Sequence, residues 1–285
     1  MILTTEETPE EVAQRFADID PDLLEDFKDS SSARDDIGLT LRDCWGGLYR
    51  GKQLGWIGMQ DTESGLWGMF DREAYVHYSY PLNCNLHEIV SGRLVAFKGP
   101  RDLDGSPYED GASGSRVFCP KYIASLLHDM DVPAVIRLNA AEYNRTALLQ
   151  TGLRHHDLYY EDCTAPSREL VAKFLRILDS EQGIIAVHCT SGRGRSGTLI
   201  ALYLMLKHRF AAAQAVAWVR IMRPGSILGL QQDYLLRLDA VVSGSSPRPT
   251  PSPGWAQGGF SRSLSVPAAA AADGQPPGRC SSLDS

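Results

Sequence analysis

His188-Cys189-Thr190-Ser191-Gly192-Arg193-Gly194-Arg195-Ser196-Gly197 places a cysteine and an arginine with five residues between them, directly after the apolar run Gly183-Ile184-Ile185-Ala186-Val187. The run Thr198-Leu199-Ile200-Ala201-Leu202-Tyr203-Leu204-Met205-Leu206 follows and reads as a buried helix. A strand, a glycine-rich turn and a helix together make a cradle for an anion. The turn's N–H groups and the positive helix end both point at it. The same field favours a thiolate, the form of cysteine that attacks. Arg195 grips two oxygens with its planar fork, where a lysine would act as a point charge. A lone cysteine at a strand end is ordinarily a small buried hydrophobe. Strand, His-Cys, two glycines, arginine and serine in this order make nucleophile and clamp the stronger reading.

Working outward, the spacing predicts strands at 94–97, 134–139, 157–160 and 184–188. Helices are expected at 122–128, 167–179, 211–222 and 229–240, the last two separated by Arg223-Pro224-Gly225. Strands alternating with helices imply an α/β fold, a largely parallel central sheet with helices on both faces. Upstream, Thr8-Pro9-Glu10-Glu11 is a helix start with a capping threonine, a proline and a glutamate three residues on. Asp20-Pro21 opens a second acidic helix that Ser30-Ser31-Ser32 ends. From 39 to 54, an apolar pattern with Gly46, Gly47 and Gly51 reads as a helix packed closely on something. Beyond 242 the composition turns to Ser, Pro, Gly and Ala, a tail too poor in apolar residues to order itself. Its Ser246-Pro247, Thr250-Pro251 and Ser252-Pro253 pairs are candidate proline-directed phosphorylation sites.

With 285 residues and 43% hydrophobic content, the chain can bury one sizeable core. Its net charge of −7 disfavours a general nucleic-acid binder. No stretch reads as a bilayer span, and the N-terminus does not read as a signal peptide. Six cysteines without paired zinc spacing suit a reducing compartment, so a cytoplasmic or nuclear protein is expected.

A thiolate displacing an ester oxygen from phosphorus needs a proton donor for that oxygen. Asp157-Leu158-Tyr159-Tyr160-Glu161-Asp162-Cys163-Thr164-Ala165-Pro166 offers Asp157, Glu161 and Asp162, and the residues alone do not choose among them. From about 39 to 239 the chain resembles the cell-division-cycle-14 branch of the dual-specificity phosphatases, within the Cys-x5-Arg superfamily. The stretches Val135-Ile136-Arg137-Leu138-Asn139, His155-His156-Asp157-Leu158-Tyr159-Tyr160 and Ile185-Ala186-Val187-His188-Cys189 carry the likeness. So does Ala217-Trp218-Val219-Arg220-Ile221-Met222-Arg223-Pro224-Gly225-Ser226-Ile227. The resemblance implies Cys189 as nucleophile, Arg195 as clamp, Asp162 as general acid on a movable loop, and Ser196 as the hydroxyl that helps Cys189 leave. Thr190, Ser191, Gly192, Arg193, Gly194 and Arg195 would cradle the phosphate. Gln231 or Gln232 would position water. Phosphoprotein substrates follow: proline-directed phosphoserine and phosphothreonine, and phosphotyrosine, hydrolysed through a phosphocysteine in cell-cycle or cytoskeletal regulation. No cofactor or metal is implied. His188 is expected to hold the loop, and His155 and His156 to be structural.

The chain also departs from that family. Residues 1–38 read as a divergent acidic segment and 39–90 as the last helix and linker of the family's first, inactive domain. Residues 91–242 read as the catalytic domain and 243–285 as the tail. Either the chain is an incomplete gene product or its lineage has shed that domain. A face near Leu41, Trp45, Leu48 and Trp56 is expected to lie uncovered and to need a partner. Val76 and Ser79 stand where the family has glutamates that favour a basic residue in the substrate. Thr190 replaces a lysine and Arg193 a leucine, and a second cradle arginine suggests a phosphoinositide phosphatase as an alternative. A phosphate-recognition scaffold is another. Cys163 replaces a glycine beside the acid, and Cys163 or Cys119 is a candidate partner for Cys189 on oxidation.

Overall fold

The strand β7 (Ile185–Cys189) sets the layers of the molecule. Ile185, Val187 and Cys189 join one apolar core and Ala186 another, the period-two alternation of a strand covered on both faces. This computed structural model describes residues 1–20, 38–58, 71–111 and 114–243. The tail, and the second acidic helix apart from Asp20, lie outside the described residues.

Parallel to β7 run β2 (Leu94–Lys98) on one side and β5 (Ala134–Arg137) on the other, with β6 (Arg154–Asp157) parallel outside β5. At the opposite edge β1 (Leu86–Val90) pairs antiparallel with β2, giving the order β1-β2-β7-β5-β6. A separate hairpin joins β3 (Tyr108–Asp110) and β4 (Arg116–Phe118). One face of the main sheet packs on α6 (Arg168–Ser180), α7 (Gly194–His208) and α8 (Ala212–Met222), through residues such as Phe174, Leu202 and Val216. On the other, Ile123 and Leu127 of α4 (Pro120–Asp129) meet Val95, Phe97 and Val135. The short α5 (Thr146–Leu149) lies beside α4, and α9 (Leu230–Ser243) packs on α7 and α8. The α/β class with a mostly parallel sheet and helices on both faces is therefore present. No helix among the described residues is long and apolar enough to cross a membrane.

Three sequence expectations need correction. The strand expected at 157–160 lies earlier, at Arg154–Asp157. It is an edge strand whose side chains find local partners: Arg154 and His156 meet Glu181, and His155 meets Tyr143. The sheet also begins before residue 91, because β1 belongs to it. Third, the face around Trp45 is covered within the chain. The helices α1 (Pro9–Gln14), α2 (Leu41–Gln53) and α3 (Arg72–Ser79) precede the sheet, and α1 starts at Thr8 with the expected capping box to Glu11. Trp45 stacks on Phe16 at 5.5 Å, while Leu48 and Trp56 pack against the main core. Of the four residues only Leu41 is largely exposed. Small residues permit this docking of α2 on α8. A Cβ at Gly47 would stand 2.8 Å from the Gln214 carbonyl oxygen, and one at Gly51 would stand 2.1 Å from the Trp218 ring.

Candidate active site

The turn after β7 runs from Thr190 to Arg193, and α7 begins at Gly194, so the cradle lies at the carboxyl end of the parallel strands. The first amides of α7 have no intrahelical carbonyl to serve and are available to an anion. At Gly192 the backbone takes φ +70°, and a Cβ would lie 1.9 Å from the Phe97 carbonyl oxygen. Only glycine fits there.

Arg223 fixes the outer side of this turn. Its guanidinium donates to the carbonyls of Gly192 (2.8 Å), Ser191 (2.9 Å) and Asn85 (2.8 Å), and to His87 Nδ1 (2.6 Å). Burial, with Arg193 adding to it, pushes its pKa down to about 9, so it remains a cation near neutral pH. His87 is pushed down to about 3, first by burial and then by Arg223 and Arg193, which keeps its ring neutral and able to accept.

Beneath the nucleophile, burial pushes His188 down to about 3 and His155 to about 4. His188 Nδ1 lies 3.1 Å from the Cys189 carbonyl, which only accepts, so that nitrogen carries the proton. His188 Nε2 then accepts from the Tyr143 hydroxyl at 2.9 Å, whose oxygen takes a proton from His155 Nε2 at 2.8 Å. His188 thus holds the strand end from the face opposite the thiol.

Cys189, Arg195 and Ser196 are all buried. Arg195 Nη1 donates to the Tyr160 carbonyl at 3.1 Å, and the Tyr160 hydroxyl donates back to the Arg195 carbonyl at 2.9 Å. Arg195 Nη2 reaches Thr190 Oγ1 at 3.1 Å and Asp162 Oδ2 at 3.3 Å. Arg195 Nε and the Ser196 hydroxyl are buried with no hydrogen-bond partner, a costly state that an arriving oxyanion or a facing thiolate would relieve.

Of the three candidate acids only Asp162 reaches this centre. Asp157 is taken by Arg137 Nε at 2.7 Å and Arg145 Nη1 at 3.2 Å, and Glu161 is exposed. Asp162 keeps 61% side-chain exposure, and its Oδ1 accepts from the Cys163 amide at 3.0 Å. Cys163 itself sits at φ +56°, the left-handed region that glycine enters freely. The two glutamines separate by geometry. Gln231 Oε1 stands 3.0 Å from where a Gly194 Cβ would be, and its Nε2 points to the Thr164 carbonyl at 3.5 Å. Gln232 Oε1 accepts from buried Arg220 at 2.9 Å. Gln231 therefore lies between cradle and acid loop, and Gln232 is turned to the core. The side chain of Arg193 folds over Gly225. Among the described residues, Cys119, Cys163 and Cys189 form no disulfide. Val76 is exposed on α3, and Ser79 Oγ donates to the Val76 carbonyl.

Arg223, Tyr160, Tyr143 and Glu142 were not singled out by their residue types. Arg223 reads locally as a helix end, and its partners lie more than 30 and 130 positions away.

By sequence, the chain is similar to known protein phosphatases. A family described as "PTP-SAK: Swiss Army Knife protein, DSP-PTPase phosphatase domain" matches residues 114–235. The dual specificity protein phosphatase CDC14A of Homo sapiens is 35% identical over 92% of this chain and 40% of its own length. The dual specificity protein phosphatase CDC14AB of Danio rerio is 34% identical over 82% of this chain and 36% of its own. The chain thus spans roughly two fifths of these relatives. The crystal structure of Tk-PTP in the active form aligns at TM-score 0.43 and 24% identity, over 54% of this chain and 94% of that one. With the Cys-x5-Arg cradle in place and these relatives over most of its length, the chain is a homologue of the CDC14 dual-specificity protein phosphatases.

Proposed function

We propose that this chain is a cysteine-dependent protein phosphatase acting on phosphoserine and phosphothreonine at proline-directed sites and on phosphotyrosine. One observation carries the reading: Cys189, Arg195 and Asp162 come from separate elements and gather at one end of the sheet. A phosphate entering the cradle takes over Arg195 and releases Asp162 toward the leaving group. The Cys189 thiolate attacks phosphorus in line, the ester P–O bond breaks, and Asp162 gives its proton to the departing oxygen. The product is a phosphocysteine. Water, positioned by Gln231 and deprotonated by Asp162, then attacks phosphorus; the S–P bond breaks, and the Ser196 hydroxyl donates to the leaving thiolate. The transition state is loose, so the loop amides and Arg195 supply most of the stabilisation. An intact acid favours an enzyme over a phosphate-recognition scaffold, because binding needs no proton donor.

The test is hydrolysis of para-nitrophenyl phosphate with a chelator present. Cys189→Ser is expected to abolish turnover and Asp162→Ala to lower it about 100-fold or more. A folded wild type without turnover would move the assignment to the scaffold. Preference for inositol lipids over phosphopeptides would move it to the lipid reading that Arg193 suggests.

A further inference from the structure

Glu142 lies on the loop after β5, and neither the sequence motif nor the mechanism above uses it. Its Oε1 accepts from Thr190 Oγ1 at 3.3 Å and from Asn139 Nδ2 at 3.0 Å, and Arg101 Nε stands 3.5 Å from its Oε2. The Glu142 carbonyl also accepts the Asp102 amide at 3.1 Å, so this carboxylate is fixed by backbone and side chains alike.

The polarity of these contacts admits one arrangement. A guanidinium only donates, a carboxylate only accepts, and a threonine hydroxyl has one proton to give. Arg195 Nη2 therefore donates to Thr190 Oγ1, and Thr190 donates onward to Glu142. The negative charge on Glu142 makes the threonine oxygen a better acceptor than an isolated hydroxyl. With Nη1 tied to the Tyr160 carbonyl, two tethers fix the plane of the guanidinium. Its Nε–H, buried and unpartnered, is left for a phosphoryl oxygen.

We propose that Glu142 is a positioning residue that orients the phosphate clamp Arg195 through the Thr190 hydroxyl. This rests on the phosphatase reading for its biological meaning, though not for its geometry. The relay depends on the hydroxyl: a lysine at position 190 could donate to a carboxylate but could not accept from Arg195.

Two measurements on the full chain test it: calorimetric binding of inorganic phosphate, and steady-state hydrolysis of an aryl phosphate. Glu142→Ala is expected to weaken phosphate binding about tenfold, with kcat/KM falling by a similar factor. Thr190→Val should do the same, and the double variant should be no worse than either single one. Glu142→Gln, which keeps a carbonyl acceptor, should recover most of the affinity. In an Arg195→Lys background Glu142→Ala should add no further loss, whereas a purely structural residue would keep its full effect. Unchanged phosphate affinity in Glu142→Ala, or an undiminished effect beside Arg195→Lys, overturns the inference. If Glu142→Ala folds poorly, Thr190→Val in both backgrounds carries the same test. A wild type that binds phosphate without hydrolysing it overturns the phosphatase reading alone.

Discussion

Between the cysteine loop and the acid loop, the difference lies in how each is held. The turn at Ser191 and Gly192 is gripped from outside by Arg223, the strand end is tied from below by His188, and Arg195 is bracketed by Tyr160. Arg223, His188, Arg195 and Tyr160 are all buried. Asp162 is mostly exposed, and it meets the neighbouring Cys163 amide and one nitrogen of Arg195. In the proposed mechanism, nucleophile and clamp are thus built before substrate arrives, whereas Asp162 is lodged on Arg195 and must leave it to act as the acid. A site can combine a rigid receptor for charge with a donor free to move, provided that different elements carry the two.

The largest expected effect tests the rigid side. Arg223→Ala orphans two cradle carbonyls, together with the Asn85 carbonyl and His87, at roughly 1–3 kcal/mol for each buried acceptor. A loss of about 3 kcal/mol or more in denaturant unfolding is expected, with aryl phosphate turnover falling at temperatures where the variant remains folded. Arg223→Lys, which cannot span four acceptors, should restore little of it. An Arg223→Ala protein with wild-type stability and turnover would break the comparison.

A smaller effect is set by pH. His188, His155 and His87 all have folded-state pKa values below the ordinary 6.5. The folded state holds them neutral, and the unfolded chain takes up protons as pH drops below about 6.5. Their contribution is therefore complete above that pH and declines as pH falls toward about 3–4. For fully buried His188 the loss between pH 6.5 and 5 is about 2 kcal/mol. Unfolding at pH 7.5 and 5 measures it, and His188→Gln should flatten the slope while lowering stability at both values. An unchanged slope would mean that His188 is not the buried neutral anchor described above.

The smallest effect lies on the exposed side. Cys163→Gly relieves a left-handed side-chain residue, a strain of about 1–2 kcal/mol, but adds backbone freedom to the unfolded chain. A net gain of about 0.5 kcal/mol is expected, with turnover changed less than about twofold. A large loss of activity would show that the acid loop is held more firmly than its exposed position implies.

The cradle was legible in the sequence because its parts are contiguous: strand, turn and helix signals fall within one short stretch, and the chemistry follows from residue types at fixed spacing. Its supports were not, because they are long-range. Arg223 serves carbonyls from two distant segments, and nothing at positions 222–224 announces it. The strand β1 was missed for a related reason. His87 and Glu88 look too polar for a sheet, yet His87 is matched by Arg223, and Glu88 accepts the Gly92 amide. The choice between Gln231 and Gln232 likewise needed the buried guanidinium of Arg220, which captures one of them.

The seating of α2 on α8, and of β1 along β2, has a practical consequence for anyone trimming the chain. A fragment starting at residue 91 would keep every residue of the Cys-x5-Arg loop. It would lose the Ile89 carbonyl that accepts from the Trp218 indole, the helix that lies over that ring, and two of the four acceptors of Arg223. Such a fragment would preserve the reacting groups and remove the scaffolding that keeps them aligned. The shortest functional unit is therefore set by what stands behind the motif rather than by the motif itself.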